Sequence, residues 1–222
     1  MSIIIESLSK SVMLESKKSL TILSEVSLTI NEGEMVAIKG KSGAGKSTLL
    51  HILGLLDTPT SGNYILDGID VSKLTKSDCA NYRNTKFGFI MQDFALINDE
   101  TVIENIILPA IFSKKKLRIA KQEALELLDR FGVSELANRK VGLLSGGEKQ
   151  RIAIIRALIN DPPYILADEP TGALDTINAE NIMSIFSTLK TDFRKTIVIV
   201  THDNMVSEKC DRIIEISDGV II

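Results

Sequence analysis

Eight consecutive residues, Gly40-Lys41-Ser42-Gly43-Ala44-Gly45-Lys46-Ser47, fit the pattern G-x-x-x-x-G-K-[ST] and are followed by Thr48. Glycines let a backbone curl around a phosphate and turn its N–H groups inward. Lys46 is expected to reach the β- and γ-phosphates, and Ser47 to bind Mg²⁺. Gly40, Ser42, Gly43, Ala44, Gly45, Lys46, Ser47 and Thr48 are thus the expected phosphate-binding set. A chance match in a chain this long is on the order of one in a hundred. A second constellation is Asp168-Glu169, at the end of the apolar run Tyr164–Ala167. Asp168 suits Mg²⁺, directly or through water. Glu169 is then the expected general base for an attacking water. Two acids capping a strand are common, so the pair gains meaning only beside the phosphate loop. A third is Leu144-Ser145-Gly146-Gly147-Glu148-Lys149-Gln150-Arg151, just before a helical pattern. Ser145 with Glu148 three residues on reads as a capping box. That leaves the double glycine unexplained. Ser145 and the Gly146-Gly147 backbone would form a second anion nest, which is useful if it grips nucleotide held by another subunit.

These groups need rigid elements to hold them. Met35–Ile38, Phe87–Met91, Tyr164–Ala167 and Thr196–Val200 read as strands, the last two apolar on both faces as in a buried parallel sheet. Helical patterns fall at about 47–56, 119–131, 148–159 and 178–189. The alternation predicts an α/β fold. Ile3–Leu8, Leu20–Ile30 and Asn63–Leu66 have no helices between them and predict a small antiparallel sheet. Residues 93–160 predict an inserted helical subdomain within a single domain spanning 1–222.

In order, the phosphate loop, Gln92, Leu144–Arg151, Asp168-Glu169, Asp175 and His202 resemble the ATP-binding cassette family over essentially the whole chain. The resemblance implies a P-loop NTPase with a RecA-like parallel core, an antiparallel β subdomain and a helical subdomain. It implies ATP and Mg²⁺ as cofactors and a homodimer, or pseudo-dimer, that sandwiches the nucleotides. It also implies an integral membrane permease as partner, with the chain held at the cytoplasmic face of the membrane. Gln92 would lie near Mg²⁺ and the attacking water, Asp175 would cross the dimer interface, and His202 would contact the γ-phosphate. Thr101–Pro109 and Ala167–Asp175 look like the MacB/LolD-like branch of macrolide exporters and lipoprotein-release systems. In one respect the chain departs from the pattern. The family's adenine-stacking aromatic falls at Val12 or Met13, and no Phe, Tyr, Trp or His occurs in residues 1–50. Val12 is therefore the expected aliphatic contact to the base.

Composition narrows the rest. The 222 residues are 44% hydrophobic and 25% charged, enough for a packed core. A net charge of −3 gives no electrostatic case for nucleic acid as a partner. Cys79 and Cys210 lack metal-ligand spacing and read as free thiols. No signal peptide is indicated, and no apolar run approaches the roughly 20 residues that span a bilayer. The Lys114-Lys115-Lys116 run reads most simply as a solvated loop. The expected function is an ATPase that drives a separate permease. The alternative is a mechanotransmitter that regulates an envelope enzyme or stress sensor without moving a substrate.

Overall fold

The computed structural model describes residues 2–13 and 19–222. Two sheets form. The smaller is antiparallel, built from β1 (Ser2–Met13), β2 (Ser19–Asn31), β4 (Ser61–Leu66) and β5 (Ile69–Asp70) in the order β2-β1-β4-β5. The larger has the order β10-β9-β3-β8-β7-β6, from β3 (Met35–Lys39), β6 (Phe87–Ile90), β7 (Tyr164–Asp168), β8 (Thr196–Thr201), β9 (Arg212–Ser217) and β10 (Val220–Ile221). The pairs β9/β3, β3/β8, β8/β7 and β7/β6 are all parallel, and only β10 runs against its neighbour.

The apolar runs are explained by burial on both faces. Leu166, Val198 and Val200 point into one core, shared with β1, β2 and helix α1 (Lys46–Leu53). Their neighbours Ile165, Ala167, Ile197 and Ile199 point into another, filled by helix α6 (Thr176–Thr191) through Ile182, Met183 and Phe186. A third apolar cluster joins helices α3 (Val102–Phe112), α4 (Leu117–Arg130) and α5 (Gly146–Leu158), inserted between β6 and β7. α4 turns Ala120, Ala124 and Leu128 inward at four-residue spacing, one stripe of a helix.

The helices predicted from periodicity are present with ends moved by a few residues. Among the elements not anticipated as such are helix α2 (Lys76–Lys86), helix α3 and strands β5, β9 and β10. α2 buries no residue, so it has no apolar stripe to read. The short helix α7 (Asn204–Glu208) follows β8.

Candidate functional site

A cavity of about 510 Å³ opens where the parallel strands end. Ser42, Gly43, Gly45, Lys46, Ser47, Thr48, Gln92, Asp168, Glu169 and His202 line it, so four segments distant in sequence meet there. β3 leads into the phosphate loop and α1 leads out of it, which points the helix N-terminus at the cavity. Gly45 has φ of 98°, and a Cβ on it would lie 2.7 Å from Leu23 and 2.9 Å from the Ile22 carbonyl. Only glycine fits there. The Lys46 ammonium is nearly buried and donates to the Gly40 and Lys41 carbonyls, both at 2.9 Å, poised over the loop it closes.

Ser47 Oγ donates to Asp168 Oδ1 at 3.2 Å, which joins the first residues of α1 to the tip of β7. Burial pushes the Asp168 carboxyl above its ordinary range, and the Glu169 charge adds to the push. The next residue, Glu169, sits in left-handed backbone at φ of 45°. This conformation is uncommon for a side chain of its size and clusters at functional sites. Its carboxylate is held on both oxygens: Thr201 Oγ1 donates to Oε2 at 3.3 Å, and His202 Nδ1 lies 2.7 Å from Oε1. The imidazole is otherwise largely exposed, so its second nitrogen faces open space.

The Ser145 turn lies apart from this cavity. The capping reading of it has a counterpart in the geometry. Ser145 and Glu148 form a complete capping box at the start of α5, and the Ser145 hydroxyl donates to Glu148 at 2.7 Å. The hydroxyl is thus engaged, and Ser145 and Gly146 are exposed. A Cβ on Gly147 would meet Asn178 Oδ1 at 2.7 Å. That Asn178 is fastened to Asp175, which caps α6 by accepting from the Asn178 N–H at 2.9 Å and side-chain amide at 2.8 Å. The Gly146-Gly147 turn and the Asp175 loop therefore pack together. At its far end α5 reaches the loop after Gln92. The Arg156 guanidinium donates to the carbonyls of Phe94, at 2.8 Å, and Ala95. Phe94 and Ala95 are both left-handed, with φ of 63° and 48°.

A model of the ABC transporter family matches residues 23–172. The chain belongs to the ABC transporter family. It is 47% identical over 206 residues to the uncharacterized ABC transporter ATP-binding protein YvrO of Bacillus subtilis (strain 168), covering 93% of this chain and 90% of that protein. It is 45% identical over 204 residues to the lipoprotein-releasing system ATP-binding protein LolD of Bacteroides fragilis (strain YCH46), covering 92% and 94%. The macrolide export ATP-binding/permease protein MacB of Shewanella sp. (strain W3-18-1) is 47% identical over 206 residues, which are 93% of this chain but 32% of that protein. The chain thus spans about a third of the MacB length. Among solved structures, the post-hydrolysis dimer of the ATP-binding cassette MJ0796 bound to ADP and Pi superimposes with a TM-score of 0.90 at 40% identity, covering 99% of this chain and 96% of that one.

Two features of this ABC cassette bear on its cofactors. Among the described residues no cluster of three or more His, Cys, Asp or Glu side chains could hold a metal ion. Ser47 and Asp168 instead offer two hard oxygens beside the phosphate loop, and Asp168 is partly buried next to the Glu169 charge. That donor set fits Mg²⁺, which keeps water and substrate phosphates in its sphere. The cavity also has a lining residue that the sequence did not single out. Ile22 of β2 lines the cavity, whereas Val12 pairs with Leu20 further along the β1–β2 ribbon and does not line it. Met13 is 71% exposed. Nothing in the chemistry of Ile22 marks it in the sequence; only the close approach of β2 to Gly45 does so.

Proposed function

We propose that this chain is the ATP-hydrolysing subunit of a membrane transporter, acting as a two-fold dimer around two nucleotides and driving a separate permease. The convergence of Lys46, the Ser47–Asp168 pair and the Glu169–His202 pair on one cavity carries the reading. Lys46 and the loop N–H groups hold the phosphates. Bound Mg²⁺, held by Ser47 and Asp168 with Gln92 nearby, supplies charge neutralisation of the phosphate oxygens. Glu169 takes the proton from the water that attacks the γ-phosphorus as the bond to ADP breaks. His202 fixes the Glu169 carboxylate through Nδ1 and leaves Nε2 for the γ-phosphate. Ser145, Gly146, Gly147 and Asp175 serve the partner's nucleotide, since they lie outside their own chain's cavity. Val12, next to the β2 segment, is retained as an aliphatic neighbour of the base, with Ile22 closer in.

Residues 93–160 act as the helical unit that conveys nucleotide state to the permease, and their separate apolar cluster supports this. A second cavity, about 840 Å³, is lined by Phe89, Leu108, Pro109, Phe112 and Arg156, the last being the side chain that holds the Phe94 and Ala95 carbonyls. It is the docking groove we assign to the permease, placing the chain at the cytoplasmic face. The transport names of the relatives favour this over a mechanotransmitter. Among the described residues no helix is long and apolar enough to cross a membrane, consistent with a peripheral seat. The test is Glu169→Gln. It should retain Mg²⁺-dependent ATP binding and lose about 10²–10⁴-fold in phosphate release. Turnover at the unaltered rate would remove Glu169 from the role.

A further inference from the structure

We infer that the α3–α4 hairpin is a second, direct contact with the membrane, one that binds anionic lipid headgroups independently of the permease. Between Glu104 and Glu123 the sequence has no acidic residue, yet Lys114, Lys115, Lys116, Arg118 and Lys121 fall there, in a chain whose net charge is −3. Lys115 is tied to Glu123 at 2.6 Å. Lys116 and Arg118 are exposed and make no ion pair with another described residue. Cations alone would read as a solvated turn. The same hairpin also exposes large apolar side chains: Ile111 by 47%, Phe112 by 78%, Leu117 by 52% and Leu125 by 47%.

The arrangement on α4 mixes the two kinds of side chain rather than separating them. Leu117, Lys121 and Leu125 follow at four-residue spacing, so they form one stripe, with Arg118 beside it. The buried stripe of Ala120, Ala124 and Leu128 is a different one, already packed against α3 and α5. Apolar groups interleaved with long cationic stems suit the boundary between headgroups and acyl chains, where the stems reach outward to phosphate. Phe112 and Lys114 also line the groove assigned above to the permease, so the lipid contact is carried by Lys116, Leu117, Arg118, Lys121 and Leu125, which lie outside it. Clusters of four to eight Lys or Arg on such a helix are the pattern of anionic-lipid binding. The hairpin adjoins the groove assigned above to the permease, so its orientation toward the bilayer rests on that reading. The lipid contact itself does not.

The test uses the full chain alone, with sedimenting vesicles of phosphatidylcholine containing 40% phosphatidylglycerol, against vesicles of pure phosphatidylcholine. Binding should be at least about ten-fold stronger to the anionic vesicles and should weaken from 0.1 to 0.5 M NaCl, which shortens the screening length about two-fold. Lys116→Glu with Arg118→Glu should abolish the preference while ATPase activity in solution is unchanged, which shows the variant is folded. Leu117→Ser should weaken binding at both salt concentrations. Equal binding to neutral vesicles, no binding to either, or an unaffected charge-reversed variant each overturns the proposal. If vesicles are ignored but the same reversal releases the permease, the patch is a protein contact and the lipid assignment fails. None of these outcomes bears on hydrolysis, which the Glu169→Gln measurement decides separately.

Discussion

Asp168 stands at the tip of a strand whose four preceding residues are buried, and its carboxyl is pushed up by burial and then by the Glu169 charge. A raised carboxyl pKa in the fold means that the folded chain binds that proton more tightly than the unfolded one. Stability is therefore lost as pH rises above the unfolded value through the folded one, and the ionised Asp168 burdens the nucleotide-free protein at neutral pH. Asp168→Asn keeps an acceptor for Ser47 and removes the charge. Without nucleotide its melting temperature should rise, by about 2–4 °C for each kcal/mol relieved in a chain of this size. The Mg²⁺-dependent gain in melting temperature with ATP should vanish, along with hydrolysis. Thermal unfolding with and without Mg²⁺-ATP checks both. A lower melting temperature in the nucleotide-free variant would show that Asp168 serves the fold rather than the cation. At this scale the sequence was most legible where chemistry is local. Lys46, Ser47 and Asp168 declare themselves by type and neighbours. The pairing of Glu169 with His202 spans 33 positions and is made by the parallel register of β7 on β8, which no local pattern encodes.

Helix α5 begins with a carboxylate beside the turn we assign to the partner's phosphate. Ser145, through hydroxyl and backbone, holds the Glu148 carboxyl below its usual range, so it is ionised at neutral pH. It steadies the helix as a cap while opposing an incoming anion. Glu148→Gln preserves the box geometry and removes the charge. A charge at a helix terminus is worth about 0.3–1 kcal/mol, so ATP-driven dimers should tighten about 2–5-fold. Sedimentation velocity of the hydrolysis-deficient chain in ATP measures this, and a weaker dimer would count against the nest. Elements were legible in proportion to their burial. β7 and β8, apolar on both faces, could be read from the sequence; α2 could not, since it buries nothing. Its Thr75-x-x-Asp78 capping box was the one signal available, and the same box at Thr101-x-x-Glu104 opens α3. β9 alternates only over Ile214 and Ile216, too short a run for periodicity to separate from a turn.

For the whole molecule, the Ser145 turn lies outside the Lys46 cavity, and on the function proposed above two chains would complete one site. Mixing Lys46→Ala with Ser145→Arg chains, each inactive alone, should restore part of the activity, because one interface then joins an intact phosphate loop to an intact turn. Phosphate release on mixing reports it. Silence from demonstrated mixed dimers would mean that both sites must be whole, or that the turn is not used. The same geometry has a mechanical side. α5 is about 20 Å long at 1.5 Å per residue. Its front carries the turn we assign to the neighbour's nucleotide, and near its rear Arg156 grips Phe94 and Ala95, two left-handed residues just past Gln92. A stiff rod with a claw at one end cannot shift at the front without dragging what the claw holds. Arg156 is partly buried, so letting go of the carbonyls would leave its charge less well compensated. Arg156→Lys replaces a planar fork by a point donor that cannot span both carbonyls in that geometry. It should leave the basal ATPase of the isolated chain near its original rate and erase most of the change in rate on permease binding. The chain would then be an engine that still fires with its drive shaft disconnected.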